Sequence, residues 1–144
     1  MSDLLTGYEG EFAIKLGLCL LLSVIIGVER ESRDKPAGIS THAFVMAGAC
    51  LFTFISTVAD PNSPARIAAQ VVSGVGFLGA GMILKSDNST IRNLTTAAAI
   101  WFAAAIGMAI GVGWYLIAVA ASVYAVIVPR IPHVKRWAES EHDE

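Results

Sequence analysis

This chain has little charge, and what it has is confined. Ten of its 144 residues are lysine or arginine and twelve are aspartate or glutamate. They gather in a few short segments separated by long uncharged runs. Apolar residues make up 55% of the chain and the mean hydropathy is +0.63. That composition excludes disorder and argues against an ordinary soluble domain. Only two cysteines are present, Cys19 and Cys50. Both fall in apolar runs without metal-ligand spacing, so they read as buried thiols acting as small hydrophobes. The first eleven residues contain Asp3, Glu9 and Glu11 but no basic residue, and no small-residue cleavage site follows the first apolar run. A secretory leader is therefore not expected, and that run is retained as a span.

What the chain does have is one long stretch, Ile67 to Leu84, that is uncharged and bounded by Arg66 and Lys85. At about 1.5 Å per residue it is just long enough to cross a hydrocarbon layer of about 30 Å as a helix. It contains Gly74, Gly76, Gly79 and Gly81. In water each would weaken a helix by about 1 kcal/mol; in lipid they let a neighbouring backbone approach closely. The spacing of Gly74, Gly76 and Gly79 also matches the dinucleotide-binding pattern G-x-G-x-x-G. That pattern needs a strand before it and an acid about 20 residues later, and neither is present. A nucleotide cofactor is not expected.

The remaining runs organise around this one. Phe12 to Val28 ends at a charged segment, and Ala43 to Ala59 follows the break at Pro36 and Gly38. Pro61 and Pro64, with Asn62 and Ser63 between them, make a turn. Leu94 to Val128 carries no charge and is too long for one crossing, so Gly111 to Trp114 is the natural turn. The expectation is an all-α, polytopic transmembrane helical bundle of about five spans, or four if a weak segment only dips in. Residues 1–130 form the membrane domain and 131–144 a short charged tail. Eight basic residues fall on one side and only Lys15 and Arg66 on the other. The positive-inside rule then places the N-terminus outside and the C-terminus in the cytoplasm. Lys15, one turn inside the first span, is expected to snorkel to the interface.

Three groups of residues could carry function. Arg66, Gln70 and Ser73 share one face at the outer end of the third span, either as an interfacial group or as a polar pocket open to the outside. Glu29 and Arg30, with His42 and with Arg92, Asn93, Thr95 and Thr96, could converge under the bundle at its cytoplasmic end. Asn93 to Thr96 suit helix capping. Ala99, Ala103, Gly107 and Gly111 recur at steps of four in the fourth span, a small-residue face for packing within the protomer or in a homodimer. No nucleophile with a base and orienting group can be assembled, and no acid lies within any expected span. Neither catalysis nor a resident metal or cofactor is expected.

Several of these segments occur together in a familiar order. Gly27-Val-Glu-Arg30, Ala37-Gly-Ile-Ser-Thr-His42, the block from Pro64 to Gly81, and Leu94-Thr-Thr-Ala-Ala98 resemble the membrane domain of the MgtC/SapB family of bacterial inner-membrane proteins. The resemblance covers roughly residues 12–128. It implies a multi-pass protein of the bacterial inner membrane, tied to growth in low magnesium and, in pathogens, to virulence. It also implies a non-enzymatic regulator of other membrane proteins, with the proton-translocating ATP synthase as a possible partner. Homo-oligomers fit the same reading, and nucleic acid does not. The alternative is a small magnesium or proton transporter whose polar face runs from Arg66, Gln70 and Ser73 toward Glu29 and Arg92. Many family members carry a soluble, ACT-like C-terminal domain, and this chain is expected to lack one. Where the family's best-known member has a functionally implicated Asn, this chain has Thr95.

Overall fold

A computed structural model describes residues 6–59, 61–63, 65–84 and 92–131. The expected tail falls almost wholly outside these residues, as do Asp60 and the loop 85–91. The described residues form five α-helices and no strand: α1 (Glu9–Glu31), α2 (Ile39–Ala59), α3 (Ala65–Leu84), α4 (Leu94–Val112) and α5 (Tyr115–Ile127). A single 3-10 turn at Val128–Arg130 closes them, with Pro129 inside it. Four helices are long and apolar enough to cross a membrane. α5, at 13 residues, reaches only about 20 Å.

Local chemistry sets the helix ends. α1 opens on Glu9 and Glu11 and closes near Arg30, which places each charge favourably against the helix dipole. The link to α2 is held by Glu31, whose Oε1 accepts the Ile39 N–H at 2.9 Å. A carboxylate from the end of one helix thus occupies the N-terminus of the next. The close crossing there requires Gly27, since a Cβ would strike the Ile39 backbone.

The turn between α4 and α5 falls within the expected segment 111–114, at its later glycine, because Gly113 takes the left-handed conformation at φ +93°. Gly113 N–H reaches Ile110 O at 3.0 Å and Trp114 N–H reaches Ala109 O at 2.8 Å. This Schellman pair terminates α4. At the other end of α4, Asn93 occupies the N-cap position without a side-chain cap hydrogen bond. The expected capping by its amide is not made. Its backbone is left-handed at φ 63°, a conformation asparagine tolerates better than most residues.

α4 is the central helix, packed against α2 on one side and flanked by α1, α3 and α5. One core cluster joins Cys19, Leu22 and Ile26 of α1 to Met46 and Cys50 of α2 and to Ile106 and Ile110 of α4. Both cysteines are free and buried. A second cluster joins Ala49, Val71, Val75, Ile100 and Ala104 of α2, α3 and α4. α3 is the least buried of the four long helices.

Candidate functional site

Two polar groups are buried, one at each end of the bundle. At the end where α1 finishes and α2 and α4 begin, Glu29, Arg30, His42 and Thr96 are all buried. Arg30 Nη2 donates to Thr96 Oγ1 at 3.1 Å. His42 Nδ1 lies 2.8 Å from Gly38 O. Glu29 Oε1 is 2.8 Å from Arg33 Nε as an ion pair, though off-line for a hydrogen bond. Arg30 Nε, His42 Nε2 and both Glu29 carboxylate oxygens have no hydrogen-bond partner among the described residues. Buried polar atoms are normally satisfied, so this concentration marks this end of the bundle as a candidate site. Thr96→Val keeps the shape and removes the Arg30 acceptor. The expected cost is about 2 kcal/mol, read by denaturant titration in detergent, with Thr96→Ser retaining most of the stability.

The opposite end is built around Lys15. It does not snorkel to the interface: its side chain is only 2% exposed. Nζ donates to Ile110 O at 3.2 Å and Gly111 O at 3.1 Å, carbonyls in the last turn of α4. It also pairs with Glu11 at 3.1 Å and lies 5.3 Å from the ring centroids of Phe54 and Tyr115. A cation on the C-terminal carbonyls of a helix meets the negative end of its dipole, and that attraction draws the ammonium inward. Between the two polar ends lie Cys19, Leu22, Ile26, Met46, Cys50 and Ile106, a mostly apolar stretch of core in which the buried Ser23 hydroxyl donates to Leu20 O.

The other sequence candidates do not converge on one point. Arg66, Gln70 and Ser73 are all exposed along α3 and enclose no polar pocket of their own. Gln70 instead borders a groove of about 500 Å³ between α2 and α3, walled by Phe44, Phe52, Val71, Gly74 and Leu78. Arg92 and Thr95 are exposed and Asn93 is half-buried.

The small residues of α3 and α4 behave differently. A Cβ on Gly107 would overlap the Met46 carbonyl oxygen, and one on Gly111 would lie 2.8 Å from both Cys50 O and Thr53 Cβ. With Ala103 buried as well, the small face of α4 packs inside the protomer. At Gly74, Gly76 and Gly81 a methyl would meet nothing within 4 Å, and at Gly79 it would make only an ordinary 3.7 Å contact with Ala97. Among the described residues, then, the α3 glycines are not used for close packing.

Comparison with known proteins identifies this arrangement. The profile of the MgtC family matches residues 16–136. The chain belongs to the MgtC family. It is 44% identical over 112 residues to Protein MgtC of Salmonella typhimurium (strain LT2), covering 78% of this chain and 48% of that protein. Protein SapB of Bacillus subtilis is 39% identical over 138 residues, covering 89% and 60%. The putative magnesium transporter YhiD of Escherichia coli (strain K12) is 46% identical over 132 residues, covering 85% and 61%. The chain thus spans about half to three-fifths of the length of these relatives. No solved structure matches it. Family membership and four apolar helices make it a membrane protein.

Sequence reading missed the Lys15 site and the burial of Glu29. A lysine one turn inside a span and an acid at its foot both look interfacial. The available signal was spacing: Glu11 and Lys15 lie at i, i+4, and so do Glu29 and Arg33, an arrangement that neutralises a charge before burial. Among the described residues no three His, Cys, Asp or Glu side chains group to hold a metal ion.

Proposed function

We propose that this protein is a non-enzymatic regulator in the bacterial inner membrane, in the physiology of magnesium limitation, stress or virulence, acting through helix–helix contacts with other membrane proteins. The observation that carries this reading is the free face of α3. Gly74 and Gly81 share it with Gln70 and Phe77 at helical spacing and have open space beside them; Phe77 is 79% exposed, and the amide of Gln70 borders the adjoining groove. In lipid there is no hydrophobic drive between helices, so small residues that admit a second backbone and polar groups that bond across are what hold helices together. An amide left facing hydrocarbon is costly. A partner helix on α3 answers both features. The proton-translocating ATP synthase is one candidate partner, and a second copy of this chain is another.

The transporter reading draws on the name of the Escherichia coli relative and on the buried Glu29, Arg30 and His42. Against it stands the core between the two polar ends. Its cluster residues are apolar and the buried Ser23 and Ser122 hydroxyls are bonded to their own helices, which leaves a hydrated ion no charged side chain to follow among the described residues.

Gly81→Leu is the direct test. Because the position is open within the protomer, helical content and detergent elution are expected to match the parent. Cross-linked or co-purified membrane partners are expected to fall at least about tenfold, the equivalent of 1.4 kcal/mol. Liposomes holding the parent chain are expected to show no Mg²⁺ or proton flux above protein-free vesicles. A flux that disappears in Arg66→Ala or Glu29→Gln would replace the regulator by the transporter.

A further inference from the structure

A second groove, of about 540 Å³, runs between α1, α4 and α5. It is close in size to the groove between α2 and α3 and opposite in chemistry. The α2–α3 groove has no charged residue in its lining. This one has three, Arg30, Arg33 and Lys35, and all are cations. Its walls are apolar and aromatic, with Trp101, Phe102 and Tyr124 prominent.

Two of the three cations, Arg30 and Lys35, make no ion pair with an acid among the described residues. Arg33 is ion-paired through Nε with Glu29 and donates Nη1 to Pro129 O at 2.6 Å, which leaves Nη2. Lys35 has no side-chain partner among the described residues. Arg30 lines the groove while only 2% exposed, and its Nε is unpartnered. An unpaired donor on a buried guanidinium is costly, and an anion entering the groove would relieve it. Any apolar groove on a membrane protein is filled by acyl chains. A basic end attached to such a groove selects the chain that carries an anionic head.

We propose that the groove between α1, α4 and α5 is a binding site for an anionic glycerophospholipid. Its phosphate lies at Arg33 and Lys35, above Arg30, and an acyl chain runs along Trp101, Phe102 and Tyr124. Charge-assisted bonds from guanidinium and ammonium groups suit a phosphate, and basic pockets between membrane helices hold such head groups elsewhere. The site is separate from the α3 face and does not depend on the regulatory reading.

The test uses Trp101 as reporter, in the full chain with Trp114→Phe and Trp137→Phe. The protein is placed in bilayers of phosphatidylcholine containing brominated phosphatidylglycerol or brominated phosphatidylcholine with the same chains. Brominated phosphatidylglycerol is expected to quench Trp101 at a several-fold lower mole fraction. Lys35→Gln should reduce that preference roughly fivefold, the effect of one cation near a membrane surface. Adding Arg33→Gln should erase it. Lys35 is exposed, so the single variant still decides the matter if loss of the Glu29 partner unfolds the double one. Equal quenching by the two lipids in the parent overturns the proposal, as does a preference that survives Lys35→Gln unchanged.

Discussion

Gly107→Val is expected to abolish recovery of folded protein, and even Gly107→Ala to lower stability by about 2 kcal/mol. The Cβ of any side chain here overlaps the backbone carbonyl of Met46 on α2. A backbone atom cannot rotate aside, so the whole α2–α4 contact must open. Overpacking of this kind costs up to about 3 kcal/mol, while replacing glycine in a helix returns about 1; the steric term wins. Gly76→Ala is the matched control, since its methyl meets nothing within 4 Å, and it is expected to be neutral or slightly stabilising. Both are measured by loss of helicity or intrinsic fluorescence during titration with a denaturing detergent. If the two alanine variants unfold at the same point, the close crossing of α2 and α4 is not as described.

Lys15→Met is expected to cost about 3 kcal/mol in the same titration. The substitution keeps the apolar stem and removes the charged donor shared by the Ile110 and Gly111 carbonyls, of which Ile110 O keeps its bond from Gly113 N–H. Hydrogen bonds from a charged donor contribute about 1.5–3 kcal/mol each, and Gly111 O is left with no other donor among the described residues. The ion pair to Glu11 is the lesser part, because that carboxylate is half exposed and such pairs contribute under about 1 kcal/mol. Glu11→Gln should therefore be mild. A Glu11→Gln variant as damaged as Lys15→Met would mean that the ion pair dominates, and the account of Lys15 as a cap on α4 would fail.

These two positions show where sequence reading stops. In the sequence, the glycines of α3 and α4 look alike: small residues in uncharged runs. Only packing separates Gly107 and Gly111, pressed on α2, from Gly74 and Gly76, which face outward. Lys15 and Glu29 looked like interfacial charges because distance from a span's end is all a linear sequence offers. The burial of each follows from what the neighbouring groups bring up: two carbonyls at the end of α4 for Lys15 and the side chain of Arg33 for Glu29. Asn93 was legible as a helix start, but its role there is a backbone conformation and not a side-chain hydrogen bond.

The sequence by itself determined the membrane class, the helices and their turns, because long uncharged runs and proline or glycine breaks are local facts governed by transfer to lipid and by backbone sterics. It also marked the family, through motifs kept in order and spacing. The tertiary structure alone decided which polar groups are buried, which glycine face is free, and that three basic residues share one apolar groove. Those outcomes depend on which helix lies beside which, and in lipid that choice rests on close packing and a few polar contacts between residues far apart in the chain.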